Sequence, residues 1–226
     1  MRMSGFKPIH TIWLPDNAKN WEALRHLGTE ATFEPNSIIA DGNMAPELFY
    51  LHKGTAKFIA LSRDGQEKVL YYCPPGSIFG ESQSIIQSTQ AHIYMAMERC
   101  VVYKFDFYKI LDTLQKDYPE NMYSLLYGIA YKATMHARNI SNLTLLDSET
   151  QVARTLYGMI ISSGGTRKIR PAITQQEIAN ILGLHRTTLT RILSGLKRDG
   201  ILVKYTKNTL EVTSVELLRE AAQITL

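Results

Sequence analysis

Between residues 32 and 105, short hydrophobic runs alternate with residues that favour turns. Asp64-Gly65 is typical of a tight hairpin, because glycine readily adopts the positive φ that such a turn needs. Many short strands at regular intervals predict a β-sandwich or barrel, and we expect a jelly roll. The predicted strands cover residues 33–39, 48–51, 55–61, 68–72, 93–97 and 101–105.

The pattern becomes helical after Tyr118. Residues 120–142 contain no proline and a single glycine, which predicts a long helix. Mostly hydrophobic residues recur along it at alternating spacings of four and three, the heptad pattern of two helices that pack along their length. A helix that packs only on its own β-domain is the alternative. The predicted dimer seam consists of Met122, Leu126, Ile129, Ala133, His136, Ile140 and Leu143.

The last third of the chain contains two short predicted helices joined through a glycine. Thr174 and Glu177 can form a capping box at the start of the first helix, and Gly183 can end it. The second helix, residues 185–197, has one apolar face, so the pair predicts a helix-turn-helix with residues 201–212 as a β-hairpin wing. A small helical domain with a solvated basic face is the alternative. The outer face of the second helix carries Arg186, Thr187, Thr190 and Arg191.

Together these elements predict an α+β protein in three parts. Residues 1–117 form a β-roll sensor domain, residues 118–146 a dimerisation helix, and residues 147–226 a winged helix-turn-helix. The last boundary lies near Asp147, which can cap a helix over residues 150–162.

The charge distribution supports a nucleic-acid partner. The formal net charge is +4, and residues 147–226 contain 11 basic against 7 acidic side chains, so the excess lies in the predicted DNA-binding part. A guanidinium on a helix in the major groove can bond guanine, which assigns base readout to Arg186 and Arg191. Thr187 is a candidate for a base or water-mediated contact, and Thr190 is a further candidate DNA-binding residue. The expected phosphate contacts are Thr174, Gln175, Thr188 and Lys204.

Several other classes of function find no support in the sequence. No apolar run reaches the roughly 18 residues that span a bilayer, and no signal peptide is evident, so a cytoplasmic protein is expected. Cys73 and Cys100 have no partners at metal-ligand spacing, so we predict neither a disulfide framework nor a metal site. The absence of a nucleophile–base motif and of a phosphate-binding glycine loop argues against an enzyme, and no cofactor is expected.

Over nearly its whole length the chain resembles the family of the cyclic-AMP receptor protein and the fumarate–nitrate regulator. The most specific part is residues 174–196, which is similar to the family's DNA-reading unit. The resemblance implies a homodimer that binds palindromic DNA under the control of a small molecule, with RNA polymerase as a further candidate partner. In the sensor region the resemblance rests on Phe49-Tyr50-Leu51, Gly54, Asp64-Gly65, Pro75-Gly76 and Phe79-Gly80-Glu81.

Departures from the family pattern bear on the effector. The cyclic-AMP branch places an arginine where this chain has residues 88–92, a stretch without Lys or Arg, which disfavours a cyclic nucleotide. Two cysteines are too few for the iron–sulfur cluster of the oxygen-sensing branch. A haem held by His52, His92 or Cys73, and redox sensing through Cys73 and Cys100, are the alternatives.

The chain is most similar to the halophenol-sensing branch of this family. Leu14-Pro15-Asp16-Asn17, Leu70-Tyr71-Tyr72 and the pair Lys132 and Arg138 carry the likeness, whereas Glu81 stands where that branch has a lysine. The likeness implies a small anionic effector at Lys132, since opposite charges in a dry pocket favour ionisation of both groups. A solvated Lys132 and a purely structural Glu81 are the alternatives. The predicted effector site is Tyr71, Gly80, Glu81, Ser82 and Lys132.

Overall fold

The computed structural model describes residues 12–15, 18–41, 45–61, 67–87 and 92–224. They belong to two compact units, one within Ile12–Ala133 and one within Thr134–Leu226. None of the described helices is both long enough and apolar enough to cross a membrane.

The unit within Ile12–Ala133 is built on two four-stranded antiparallel sheets. Their strand orders are β1-β8-β3-β6 and β2-β7-β4-β5, which confirms the predicted β-roll. The Asp64-Gly65 turn lies outside the described residues, but the strands before and after it pair up to Leu61 and Glu67. The strands are β1 Thr29–Phe33, β2 Ile38–Ala40, β3 Glu47–Lys53, β4 Ala56–Leu61, β5 Glu67–Cys73, β6 Ile78–Phe79, β7 His92–Ala96 and β8 Cys100–Asp106.

Helical segments cover the sheet that contains β3 and β8, and the last of them continues past Ala133 into the residues of the other unit. They are a 3-10 helix Lys19–Leu27, α1 Glu81–Ile86, α2 Phe107–Asp117 and α3 Pro119–Leu145. Only α3 was predicted. It begins one residue after Tyr118, as expected, and it extends three residues beyond the predicted end at Asn142.

Trp21 anchors the first turns of α3 on the β-roll. Its ring is fully buried and meets Phe105 of β8 edge to face, with 5.7 Å between the ring centroids. Its indole N–H donates to the Ser124 hydroxyl at 2.8 Å, and Leu125 belongs to the same hydrophobic core. One side of α3 is therefore fixed on the β-roll by burial and by a buried hydrogen bond.

The unit within Thr134–Leu226 contains the predicted helix-turn-helix and hairpin. Asp147 caps the first complete helix, because its carboxylate accepts from the Thr150 backbone N–H at 2.8 Å. The hairpin forms a sheet in the order β10-β11-β9. Strand β9 and helix α7 were not predicted. The elements are α4 Ser148–Ser162, β9 Lys168–Ile169, α5 Gln175–Leu182, α6 Arg186–Arg198, β10 Leu202–Thr206, β11 Thr209–Val212 and α7 Val215–Ala221.

Two glycines of the first unit should respond in opposite ways to alanine. Gly80 has φ +93°, and an added Cβ would lie 2.7 Å from the Glu47 carbonyl oxygen. Gly128 lies inside α3, where an added Cβ would have no neighbour within 4 Å. We expect Gly80→Ala to lower the free energy of unfolding by roughly 2 kcal/mol or more, and Gly128→Ala to raise it by up to about 1 kcal/mol. Urea denaturation at one protein concentration measures both; equal stabilities would contradict the backbone assigned to Gly80.

Candidate functional site

A buried ion pair joins α3 to the start of α1. The Lys132 Nζ lies 2.6 Å from Glu81 Oε1, and the two side chains are only 9% and 2% exposed. The ammonium also donates to the Ile78 carbonyl oxygen at 3.0 Å. The alternative of a solvated Lys132 is therefore wrong.

Glu81 still has hydrogen-bonding capacity inside the protein. Its Oε1 accepts from Lys132 and, at 3.3 Å, from the Ser82 hydroxyl. Its Oε2 is buried and has no hydrogen-bond partner among the described residues. A buried carboxylate oxygen without a donor is costly, and such an atom calls for a functional explanation.

A small pocket lies at this ion pair. The space inside it admits little more than one water molecule. Gly128 borders it from α3, one helical turn before Lys132. Of the predicted effector residues, Glu81 and Lys132 line the pocket, whereas Tyr71, Gly80 and Ser82 are not among its lining residues. The lining consists of Leu14, Pro15, Ala18, Ile78, Glu81, Ser124, Leu125, Gly128 and Lys132.

Tyr71 belongs to a buried aromatic cluster close to Glu81. Its hydroxyl lies 2.9 Å from the Tyr94 hydroxyl, and Phe58 stacks on the Tyr71 ring. Burial, and then the charges nearby, raise the pKa of both tyrosines well above the ordinary value. Both hydroxyls are therefore neutral at physiological pH.

The two thiols are poor candidates for redox chemistry. Burial is the main cause that raises the pKa of Cys73 and of Cys100, so both thiols keep their protons at neutral pH. Thiolates are the reactive form, and neither site favours one.

The two histidines considered as haem ligands have protein partners. His52 contacts the Glu22 carboxylate at 3.0 Å through Nδ1, and the His92 ring stacks on Phe58. Within the described part of the chain, no group of three or more His, Cys, Asp or Glu side chains is suited to hold a metal ion.

The helix-turn-helix is held by local capping interactions. Thr174 and Glu177 form the predicted capping box, in which the Thr174 hydroxyl accepts from the Glu177 N–H and the Glu177 carboxylate accepts from the Thr174 N–H. Gly183 ends α5 in the left-handed conformation, with φ 66°. The following helix starts at Arg186 and is amphipathic, with a buried face made of Leu189, Ile192, Leu193 and Leu196.

The predicted DNA contacts lie on two surfaces of this unit. The outer face of α6 exposes Arg186, Thr187, Thr190 and Arg191, and Lys204 is exposed on β10. Thr174, Gln175 and Thr188 are half-buried. The Thr190 hydroxyl donates to the Arg186 carbonyl oxygen at 2.9 Å, so towards DNA it is left as an acceptor.

Sequence reasoning overlooked two exposed cations next to α5. The Ala172 N–H donates to the Lys207 carbonyl oxygen at 3.1 Å, which ties the wing to the segment before α5. The Tyr205 hydroxyl strengthens this link, since it donates to the Ile173 carbonyl oxygen at 2.9 Å. Lys207 and Arg170 are therefore exposed beside the residues expected to contact phosphate. The sequence feature that could have identified these two cations is the excess of basic over acidic residues in this part of the chain.

The predicted dimer seam is only partly exposed to solvent in the protomer. Leu126, Ala133, Ile140 and Leu143 are exposed, whereas His136 is half-buried. Met122 and Ile129 are also half-buried, because they pack on the protomer's own core. Two exposed alanines on the same face, Ala130 and Ala137, were not predicted.

Two parts of the chain match known family models. Residues 30–117 match the cyclic nucleotide-binding domain, and residues 150–221 match the Crp-like helix-turn-helix domain. The cAMP-activated global transcriptional regulator CRP of Pasteurella multocida is 27% identical over 188 residues, which are 81% of this chain and 90% of that protein.

Solved structures share the fold. OCPA-complexed CprK superposes with a TM-score of 0.79 at 22% identity, over 93% of this chain and 100% of that chain. A CooA mutant from Carboxydothermus hydrogenoformans gives a TM-score of 0.79 at 19% identity, over 91% of this chain and 93% of that chain.

Two cations on the DNA-binding unit should differ in what they contribute. Arg191→Ala is expected to weaken binding to the preferred duplex by about 1–3 kcal/mol and to relax the preference at one base pair. Lys204→Ala should weaken binding to all sequences alike and lower the slope of affinity against salt. Selection from random duplexes followed by titrations at several salt concentrations measures both effects. If Arg191→Ala keeps the full preference, the base contact is misassigned.

The seam on α3 can be tested at a residue that is exposed in the protomer. Ile140 is 63% exposed, so Ile140→Glu should leave the protomer folded but bury two carboxylates in the dimer. We expect dimerisation to weaken by roughly 3 kcal/mol or more, which is over a hundredfold. Analytical ultracentrifugation over a concentration series measures it. Leu145→Glu is the matched control, since Leu145 is 80% exposed and lies about 140° further around the helix. Equal effects of the two substitutions would argue against the seam.

Proposed function

Because the chain belongs to the Crp/Fnr family of transcription regulators, we propose that a small acidic organic effector, bound in the pocket at Lys132, controls its binding to DNA. The protein is a dimeric DNA-binding regulator and not an enzyme. In the proposed division, residues 1–117 sense the effector, residues 118–146 form the dimer and residues 147–226 read DNA. Action in the cytoplasm on a palindromic site, with contact to RNA polymerase, is part of the proposal.

The buried ion pair at the pocket is the observation that supports this function best. Burying two charges costs several kcal/mol per ion unless they are paired, and here both line one pocket, with Lys132 on the helix that carries the proposed dimer seam. Lys132 precedes Ala133 of that seam directly. An effector at Lys132 therefore acts on the helix whose other face is proposed to meet the second subunit.

The switch requires that the effector binds one arrangement of the dimer better than another. In the present arrangement the pocket at the ion pair admits about one water molecule. An effector must displace side chains of the lining around the ion pair to enter. That change in the surroundings of α3 is the differential contact on which we base the mechanism.

Cyclic AMP is not the proposed effector. Lys132 is the single cation among the lining residues that the structure describes, and Glu81 already neutralises it. A cyclic phosphate would add a second anion to one cation. The stretch of residues 88–92, which lacks the branch's arginine, lies outside the described residues apart from His92. The raised pKa values of both thiols likewise argue against a redox sensor.

A substitution at the border of the pocket tests the proposal. Gly128→Leu adds a large side chain at a lining position where an added Cβ has no neighbour within 4 Å, so it should hinder entry of the effector and leave the ion pair in place. In a thermal-shift panel of phenols, benzoate, cyclic AMP and haemin, we expect acidic aromatics to stabilise the unaltered protein. At a concentration a hundred times Kd the gain is about 2.7 kcal/mol. Gly128→Leu should lose this gain, and Gly128→Ala should keep most of it.

Two results would contradict the proposed function. One is stabilisation by cyclic AMP at micromolar concentration. The other is a response to acidic aromatics that persists unchanged in Gly128→Leu, since the ligand would then bind elsewhere.

A further inference from the structure

We propose that the effector is a weak organic acid that binds with its proton, so that its O–H donates to Glu81 while its oxygen accepts from Lys132. This inference rests on the proposed function, because it names the chemistry of the effector at that same pocket. It departs from the simple expectation that Lys132 binds a preformed anion.

The hydrogen-bonding capacity left in the pocket matches a hydroxyl group. An ammonium has three N–H donors, and Lys132 uses two of them on Glu81 Oε1 and on the Ile78 carbonyl oxygen. Glu81 Oε2 is a buried acceptor to which no residue in the described part of the chain donates. One donor and one acceptor therefore remain. A neutral O–H group can satisfy both, whereas a carboxylate or phosphate only accepts and an ammonium only donates.

The charge balance of the pocket also favours a neutral ligand. Glu81 and Lys132 compensate each other, and both are almost completely buried. An anionic ligand would leave one negative charge uncompensated in a site from which water is largely excluded, which is unfavourable by several kcal/mol. Two neighbouring anions in such a site share a proton, because like charges raise the pKa of one of them.

Among the described residues, no other group near Glu81 can restore the balance. The titratable groups that interact with Glu81 are Lys132 on α3, Tyr71 and Cys73 on β5, and Tyr94 on β7. Burial raises the pKa of Tyr71, Cys73 and Tyr94, so all three are neutral and supply no positive charge. A proton must therefore accompany an acidic effector into the site.

The remaining lining residues determine which kind of ligand skeleton the pocket can bind. Apart from Ser124 and the ion pair, the lining is apolar and comes from Leu14, Pro15, Ala18, Ile78, Leu125 and Gly128. Such a wall suits a hydrocarbon or aromatic body and disfavours a sugar. Phenols combine that body with a weakly acidic hydroxyl.

The pH dependence of binding tests this inference on the unaltered protein. With p-nitrophenol as the probe in calorimetry, the association constant should be constant below the pKa of the phenol. Above that pKa it should fall about tenfold per pH unit, because the free phenolate must then take up one proton to bind. Calorimetric titration at a pH above the pKa of the phenol, in two buffers of different ionisation enthalpy, should show that one proton is taken up for each phenol bound. At neutral pH, p-cresol should bind at least about tenfold more tightly than benzoate, which has no proton to bring.

Glu81→Gln should reverse this dependence. Without the carboxylate, Lys132 is an uncompensated cation that prefers the phenolate, so the affinity should rise with pH through the pKa of p-nitrophenol and then level off. The wild-type profile decides the question even if this variant is unstable.

The outcomes separate the two proposals. An affinity of the unaltered protein that rises with pH, or a count of zero protons, overturns the present inference and leaves the proposed function intact. If neither p-cresol, p-nitrophenol nor benzoate binds, or if Gly128→Leu binds them unchanged, the proposed function fails and this inference fails with it.

Discussion

The unit within Ile12–Ala133 depends on one buried interaction, the ion pair between Glu81 and Lys132. Removing one member of such a pair typically costs about 3–5 kcal/mol, because the other charge stays buried without a partner. The pair therefore fixes α3 against the start of α1. Glu81 directly follows Gly80, which adopts a left-handed conformation and leaves no room for a side chain, because an added Cβ would lie 2.7 Å from both the Glu47 carbonyl oxygen and the Phe49 ring.

The same interaction gives the family's common architecture a specific chemistry. A pocket lined by a compensated ion pair and apolar side chains discriminates by charge, since a strong acid upsets the balance and a weak acid does not. Lys132 connects this discrimination to α3, whose outer face carries Leu126, Ala133 and Ile140. A ligand that changes the surroundings of Lys132 can shift the equilibrium between two arrangements of the dimer only if it binds one of them more tightly than the other. A regulator of this kind needs only a few kcal/mol of such difference.

Local patterns made much of the fold predictable. The capping box of Thr174 and Glu177, the glycine at 183 and the hairpin around Asn208 depend on neighbours in sequence, so propensity rules identify them. Other elements were missed because their signal is not local. Strand β9 has two residues and is defined by its pairing with β11, and α1 has six residues between stronger turn signals.

The candidate site was predictable only in part. Glu81 and Lys132 were each proposed from the likeness to a family, but their pairing across 51 residues has no pattern in the sequence. Glutamate and lysine are common on solvated surfaces, and only tertiary structure reveals that these two are buried together. The seam on α3 was predictable as a heptad, whereas the partial burial of Met122 and Ile129 follows from how the helix rests on its own core.

A double-mutant cycle on Glu81 and Lys132 tests the central claim most directly. It compares Glu81→Gln, Lys132→Met and the double variant by urea denaturation at one protein concentration. Each single substitution should lower the free energy of unfolding by roughly 3–5 kcal/mol, and the double variant should lose clearly less than their sum, because no uncompensated charge is then buried. Losses that add within about 0.5 kcal/mol would show that the two side chains do not depend on each other, and would contradict the account.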